Sequence, residues 1–142
     1  MPVRPVPSMQ REAHLEKDGE SRFIATVDRE KSVFFRFGQS DISSEGFELL
    51  RQHAALLKEN DKLSVTLIGH TDDLGSPAYN LAIADRRVDA VYRFLVKLGV
   101  ARQQLRRFSA GAEKNPASCR SSQCRRLLRR VELKYADETT GH

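Results

Sequence analysis

The chain has 142 residues, of which 39% are apolar and 30% are charged, and its formal net charge is +5 at neutral pH. This length suits a single domain with its own hydrophobic core. No run approaches the roughly 18 apolar residues that a membrane-spanning helix needs. Residues 1–21 hold three of the five prolines and lack the apolar segment of a secretory signal. We therefore expect a disordered arm or linker there, with any leader or membrane anchor outside this sequence.

Apolar periodicity predicts the elements of the first half of the chain. Residues 23–27 form a short apolar run that fits a strand. In residues 33–37 every second side chain is apolar, which predicts a strand with one buried face. A helix is expected over about residues 44–60. Its buried positions are Phe47, Leu50, Ala54 and Leu57. Residues 63–68 then predict a covered interior strand.

The best-defined element is a helix between residues 77 and 98. Ser76 suits its N-cap, and Pro77 suits the first helical position. Gly99 suits the left-handed residue that ends a helix. Apolar residues at steps of three and four predict one buried stripe, formed by Leu81, Ala84, Val88, Val91, Leu95 and Leu98.

Three polar residues converge beside this stripe. Asn80 and Arg87 are seven residues apart, so they lie on nearly the same helix face, next to the buried positions. Asp72 comes just before the helix N-terminus, where the macrodipole favours a carboxylate. We therefore expect an acid, an amide and a guanidinium to lie close together at the border of the core.

The last part of the chain predicts two further strands. One is expected around residues 107–110 and ends at Gly111, and a loop follows over residues 114–123. The final strand is expected from Arg125 onward, with Arg129, Val131, Leu133 and Tyr135 on one face. Residues 137–142 are expected to be a frayed tail. The order strand, helix, strand, helix, strand, strand predicts an α+β sandwich.

The pattern around the long helix is similar to that of a known family. An apolar strand ends in Gly-His-Thr-Asp, followed at fixed spacing by a glycine, an asparagine and an arginine. These residues are Gly69, His70, Thr71, Asp72, Gly75, Asn80 and Arg87. Over about residues 33–135 the chain resembles the OmpA-like C-terminal domain family, which includes the peptidoglycan-associated lipoproteins and the periplasmic part of flagellar stator proteins. The resemblance implies a βαβαββ two-layer sandwich, with helices on one face of a mixed four-stranded sheet and the last strand between the first two.

The resemblance also implies a function. The family binds the diaminopimelate side chain of peptidoglycan, which carries an ammonium and a carboxylate on one carbon. Arg87 would donate two parallel hydrogen bonds to the carboxylate, and Asp72 would accept from the ammonium. The other residues expected at this ligand site are Thr71, Asn80, Phe37, Gly38, Gly75 and Arg129.

The implied module is periplasmic. Within residues 22–136 it would anchor an envelope protein to the cell wall without a covalent bond. It would reach a membrane only through a segment outside this sequence, and it could belong to a homodimer or to an envelope complex.

Two positions depart from the family pattern. Gly38 stands where the family has Asp or Asn, so one polar contact to the ligand is missing. Leu128 stands where the family has Asn, at the start of the last strand. Both changes remove a polar side chain from the region of the expected site.

Two alternatives to this function stay open. Asp72 and Arg87 could form an internal salt bridge that only fixes the loop to the helix. Residues 102–134 contain ten basic and two acidic residues, so this region could bind nucleic acid or a protein partner, or be a solvated face. We expect no nucleic acid, because such a surface needs exposed aromatic side chains, and Phe108 and Tyr135 are expected in the core.

Catalytic and metal sites are not expected. His70, Asp72 and Asp73 are close in sequence, but a metal site needs three or four ligands supported by further hydrogen bonds. No nucleophile with an adjacent base is recognisable, so we expect neither an enzyme nor a cofactor. Cys119 and Cys124 could form a disulfide in a small loop, as an oxidising periplasm permits, or stay as free thiols; we favour the disulfide.

Overall fold

A computed structural model of the protein describes residues 19–136. Most of the predicted arm and all of the predicted tail, residues 1–18 and 137–142, lie outside the described residues. Residues 19–26 are helical, so the end of the predicted arm belongs to a helix and the strand expected at residues 23–27 is wrong. An apolar run of this length does not distinguish a strand from a buried helical turn. Residues 19–26 are called the N-terminal helical segment below.

Four strands form one mixed sheet. They are β1 (Ser32–Phe34), β2 (Val65–His70), β3 (Leu105–Gly111) and β4 (Arg130–Tyr135). Their order in the sheet is β1-β4-β2-β3. β4 is antiparallel to both of its neighbours, whereas β2 and β3 are parallel. The last strand therefore lies between the first two, and the predicted mixed four-stranded α+β fold is confirmed.

Helices connect the strands and cover the core. They are α1 (Ser44–Glu59), α2 (Pro77–Lys97) and α3 (Ser122–Leu128). Short 3₁₀ turns at Arg29–Lys31 and Arg102–Gln104 precede β1 and β3. The core that α1 and α2 form with the sheet contains the fully buried side chains Leu50, Leu57, Leu67, Val91, Leu95, Val131 and Leu133.

A glycine lets α2 approach β2 closely. A Cβ atom at Gly69 would lie 2.7 Å from the Ala84 carbonyl oxygen and 2.7 Å from Val88 Cγ2. Real Cβ atoms do not come this close to backbone atoms, so a larger residue at position 69 would push the helix away. The position of α2, and of every side chain that it presents to the site, depends on this contact.

The start of α2 differs in detail from the prediction. The Ser76 hydroxyl accepts a hydrogen bond from the Tyr79 N–H at 3.1 Å, so the predicted N-cap is present. Leu81, expected in the buried stripe, is exposed, and Ile83 is buried instead. The buried face of the first turns is therefore formed by Asn80, Ile83 and Ala84.

Helix α3 lies where a loop and a strand were expected. The predicted loop at residues 114–123 ends early, because the helix begins at Ser122, and β4 starts at Arg130 instead of Arg125. The Ser121 hydroxyl accepts from the Cys124 N–H at 3.0 Å and caps the helix. A helix of seven residues has too few turns for its apolar period to be recognised in the sequence.

A small apolar cluster joins α3 to the N-terminal helical segment. It contains Cys119, Cys124 and Leu128, with Phe23 and Ile24 packed against them. The two cysteines are joined in a disulfide with a Cα–Cα distance of 5.5 Å, which lies in the normal range. Leu128 replaces the polar residue of the family pattern because its side chain is buried here between the disulfide and the N-terminal helical segment.

Candidate functional site

The predicted site residues gather where β2 ends and α2 begins. Thr71 directly follows β2, and its N–H donates to the Gly111 carbonyl at 2.9 Å, which ties the loop to β3. Asp72 comes next, and its Oδ1 accepts from the Leu74 N–H at 3.2 Å. Thr71 and Asp72 are only 3% and 4% exposed. The backbone therefore holds the carboxylate of Asp72 in a fixed, mostly desolvated position.

Arg87 lies beneath this loop and is 1% exposed. Each of its three side-chain nitrogens donates to a backbone carbonyl. Nε donates to Gln39 at 2.9 Å, Nη1 to His70 at 3.2 Å and Nη2 to Arg36 at 3.2 Å. His70 is the last residue of β2, whereas Arg36 and Gln39 belong to the loop after β1. Arg87 thus joins the two chain segments that border the site.

Asp72 forms its ion pair with Arg129 and not with Arg87. Arg129 Nη1 lies 3.3 Å from Asp72 Oδ2, and the two side chains are 15% and 5% exposed. Arg129 Nε donates to the Phe35 carbonyl at 3.1 Å. Burial lowers the pKa of Arg87 to about 10, and Arg129 acts in the same direction while Asp72 opposes it. The alternative in which Asp72 and Arg87 form an internal salt bridge is therefore wrong for the described residues, although the two charges are close enough to interact.

Two glycines with positive φ shape the opening of the site. Gly75 has φ 106° and Gly38 has φ 68°. A Cβ at Gly75 would lie 3.0 Å from Tyr79 Cδ1 and 3.2 Å from Asn80 Oδ1, so the loop packs directly on the first turn of α2. Asn80 is buried, as predicted, whereas Phe37 is 59% exposed and lies beyond the end of β1. Phe37 therefore lies at the rim of the site and not in its interior.

Tyr79 is a site residue that the sequence did not reveal. Its hydroxyl would lie 3.7 Å from a Cβ at Gly38, so it lies near the place where the family pattern has a polar side chain. The available signal was its position just before Asn80 in the first turn of α2, where side chains point back towards the preceding loop.

A second polar group lies beside the site. His70 Nε2 is 3.1 Å from Glu132 Oε1, and Arg130 Nη2 is 3.7 Å from the same oxygen. Burial lowers the pKa of His70; the hydrogen bond to Glu132 opposes this, and the charges of Arg130 and Lys114 add to it. The same hydrogen bond is the main reason that the pKa of Glu132 is lowered. His70 is therefore a neutral imidazole at neutral pH that donates to a carboxylate.

Possible metal ligands come together at one place within residues 19–136. This group consists of Glu20, Cys119 and Cys124. The two sulfurs are bonded to each other, and only a thiolate binds a metal well. In its oxidised form the group is therefore unsuited to a metal ion.

Comparison with known proteins identifies the family. The model of the OmpA family matches residues 34–128. The chain belongs to the OmpA family. The peptidoglycan-associated lipoprotein of Pseudomonas aeruginosa is 38% identical over 117 residues, which cover 82% of this chain and 69% of that protein. The protein of the same name from Haemophilus influenzae is 40% identical over 86 residues, which cover 61% of this chain and 56% of that protein.

Solved structures of this OmpA-family fold agree with the architecture. The crystal structure of the peptidoglycan-associated lipoprotein from Burkholderia pseudomallei has a TM-score of 0.72 and 35% identity, covering 75% of this chain and 90% of that one. The C-terminal domain of Helicobacter pylori MotB has a TM-score of 0.68 at 21% identity, covering 75% of this chain and 84% of that one, and so shows the fold alone. The predicted family is confirmed. Among the described residues, no helix has the length and apolar character needed to cross a membrane.

Proposed function

We propose that this OmpA-family domain binds peptidoglycan without a covalent bond and so anchors an envelope protein to the cell wall. Its relatives in Pseudomonas aeruginosa and Haemophilus influenzae are peptidoglycan-associated lipoproteins, which supports this function. The domain would work in the periplasm and reach a membrane through a segment outside this sequence. It would act alone, as a homodimer or within an envelope complex. The function is binding, with no catalytic step.

The observation that carries this proposal is a desolvated carboxylate with two guanidinium groups beside it. Asp72 pairs with Arg129 at 3.3 Å, and Arg87 lies close enough for its pKa to respond to Asp72. One negative and two positive charges leave the site with an excess of one positive charge. A ligand with an ammonium and a carboxylate on one carbon, such as diaminopimelate, offers a partner to both signs of charge.

The two arginines would have different roles. All three side-chain nitrogens of Arg87 already donate to backbone carbonyls. Arg129 donates to Phe35 and Asp72 through Nε and Nη1, and its Nη2 has no hydrogen-bond partner among the described residues. Because Arg87 is also only 1% exposed, whereas the Arg129 side chain is 15% exposed, we assign the direct contact with the ligand carboxylate to Arg129. Arg87 would hold the two loops in place and add positive charge beneath them.

Asp72 would accept hydrogen bonds from the ligand ammonium, as the family resemblance implies. The Thr71 hydroxyl oxygen is buried and has no partner among the described residues, so it would supply a further hydrogen bond. The Tyr79 hydroxyl, near the position where Gly38 lacks a side chain, would supply another. Asn80 and Gly75 would fix the shape of the loop.

Sedimentation with purified diaminopimelate-containing sacculi tests the proposal. Asp72→Asn keeps the size of the side chain and removes its charge, so most binding should be lost. Truncating one partner of a desolvated charge pair costs about 2–5 kcal/mol, which is roughly 30-fold to several thousand-fold in affinity. Arg129→Gln should cause a loss of similar size.

Asp73→Asn is the matched control. Asp73 is the next residue, but it is half-exposed and pairs with Arg125 at 3.1 Å on the surface. Surface ion pairs contribute little to stability, so this variant should stay folded and bind sacculi like the parent protein. Equal binding by parent, Asp72→Asn and Asp73→Asn, or no binding by the parent, would refute the proposal.

The alternative of a nucleic-acid interface has one observation in its favour. Phe108, expected in the core, is exposed, and the Lys114 ammonium lies 5.1 Å from its ring centre. Its neighbour Arg107, however, already packs on the Tyr92 ring and pairs with Asp89. A nucleic-acid shift assay beside the sacculus assay separates the two functions, and we expect no shift at physiological salt.

A further inference from the structure

A basic cavity adjoins the proposed ligand site. It has a volume of about 640 Å³ and lies between the chain after β1, the start of α1, and α3. Its charged lining residues are Arg29, Arg36, Arg126, Arg129 and Glu45. This volume falls in the range of about 300–1,000 Å³ that is usual for small-ligand sites. The cavity is therefore large enough for a part of a peptide or a sugar.

The charges of this basic cavity are not balanced. Arg29, Arg36 and Arg126 are exposed, and no ion pair joins any of them to a carboxylate within residues 19–136. Glu45 is the one acidic residue in the lining. Helix α1 begins at the same place, and the positive end of its dipole adds to the field. Like charges in a space this small repel each other, so an anionic group would find a favourable place here.

Two residues connect the basic cavity to the Asp72 site. Arg129 lines the cavity and also pairs with Asp72 at 3.3 Å. Arg36 lines the cavity with its side chain, while its carbonyl accepts from Arg87 at 3.2 Å. A ligand held at Asp72 would therefore have its neighbouring groups at the mouth of the cavity.

We propose that the basic cavity binds a second carboxylate of the same peptidoglycan stem peptide, one that does not belong to the diaminopimelate end held at Asp72. This inference rests on the proposed function. A stem peptide is an acidic chain with carboxylates beyond its diaminopimelate, and arginine is the side chain best suited to bind them. The cavity would thus discriminate between free and amidated stem peptides.

Calorimetric titration with three soluble probes tests the inference. The probes are free diaminopimelate, a diaminopimelate-containing muropeptide with free carboxylates, and the same muropeptide with every carboxylate outside diaminopimelate amidated. The parent protein should bind the free-carboxylate muropeptide about tenfold more tightly than the amidated one, because one or two charge-assisted hydrogen bonds are gained. The difference should shrink as salt is raised, since the arginines are exposed.

Variants locate the effect. The double variant Arg36→Gln/Arg126→Gln should abolish the difference between the two muropeptides and leave the affinity for free diaminopimelate within about twofold of the parent. The control Arg102→Gln/Arg106→Gln removes the same charge from exposed positions at the opposite end of the sheet. It should keep the full difference. Melting temperatures of both variants show whether the fold is retained.

Each remaining outcome counts against a particular claim. Equal affinity of the parent for the two muropeptides, or an equal loss in the control, would refute the second carboxylate site while leaving the Asp72 site intact. Failure of the parent to bind either muropeptide or free diaminopimelate would refute the proposed function itself.

Discussion

Replacing Arg87 by alanine should destabilise the fold strongly, before any question of ligand binding arises. The side chain is 1% exposed and donates to three backbone carbonyls, those of Gln39, His70 and Arg36. In the variant the carbonyls of Gln39 and His70 lose this donor, whereas the Arg36 carbonyl still accepts from the Gln39 N–H at 3.0 Å. The His70 carbonyl belongs to a buried hydrogen bond, while the other two bonds are partly buried, so water reaches them more easily.

The size of the effect follows from the two acceptors that lose their donor, the carbonyls of His70 and Gln39. A buried polar group left without a partner costs about 1–3 kcal/mol. Allowing the full range for the buried His70 carbonyl and the smaller value for the partly buried Gln39 carbonyl gives a total of about 2–4 kcal/mol. Native domains have only about 5–15 kcal/mol of net stability. For a chain of this length the loss corresponds to a fall in melting temperature of roughly 7–14 °C.

Thermal and urea unfolding of the parent and the variants measure this loss of stability. Arg93→Ala is the matched control, because Arg93 lies on the same helix but its side chain is 78% exposed and pairs with Asp89 at the surface. We expect its stability to change by less than about 0.5 kcal/mol. Arg87→Lys should fall between the two, since one ammonium cannot reach three separate carbonyls. A melting temperature of Arg87→Ala within a few degrees of that of Arg93→Ala would refute the reasoning and return Arg87 to a role in ligand contact alone.

Two further predictions concern pH and redox state. The folded-state pKa of His70 is lowered by burial, so below its ordinary value of about 6.5 the unfolded chain takes up a proton that the native protein does not. Stability should therefore fall between pH 6.5 and 5 by up to about 1.4 kcal/mol per pH unit, and His70→Gln should show a flatter profile in urea titrations at these pH values. For the disulfide between Cys119 and Cys124, alkylation of the native protein should label no thiol. Its reduction should lower the free energy of unfolding by about 2 kcal/mol in the chain-entropy view. Two labelled thiols before reduction would contradict the pairing.

The sequence was sufficient to predict the long helix and its buried polar residues. Ser76 and Pro77 mark its start, and the seven-residue spacing of Asn80 and Arg87 places both beside the core. These signals are local, because caps and periodicity depend only on neighbours along the chain. The strand order came from the family resemblance, since alternation shows which face of a strand is buried but not which strand lies next to it.

The partners of Arg87 could not be predicted in the same way. Its acceptors are backbone carbonyls 17 to 51 residues away in the sequence. A backbone carbonyl has no signature in the amino-acid sequence, because every residue carries one. The alternative of an Asp72–Arg87 salt bridge rested on charge alone, and in the structure Asp72 pairs with Arg129 instead. The spacing of residues in the sequence therefore placed Asp72 and Arg87 near each other but did not indicate the contacts that each of them makes.

The apolar cluster around Leu128 shows another limit of pattern analysis. Seen against the family pattern, Leu128 was a lost polar contact in the binding region. In the structure it is buried with the disulfide of Cys119 and Cys124, and Phe23 packs against it. An asparagine there would be a polar group in an apolar cluster, which costs free energy unless a partner is present. The departure at Leu128 thus follows from the N-terminal helical segment, whose contact with α3 no local pattern indicated.

At the proposed site, the charges of Asp72, Arg129 and Arg87 would favour a zwitterion over a simple cation. An ammonium alone would compete with Arg129 for Asp72 and leave two guanidinium groups beside it with no anion. A carboxylate alone would pair with Arg129 but add a negative charge next to Asp72. A ligand that brings both groups on one carbon pairs each with its opposite, so neither Asp72 nor Arg129 is left desolvated without a partner.

Sites built this way reject an analogue that lacks one of the two groups, because a buried charge then stays unpaired. We therefore attribute selectivity for diaminopimelate over a lysine side chain, which has the ammonium but not the carboxylate, to Arg129 and not to Arg87.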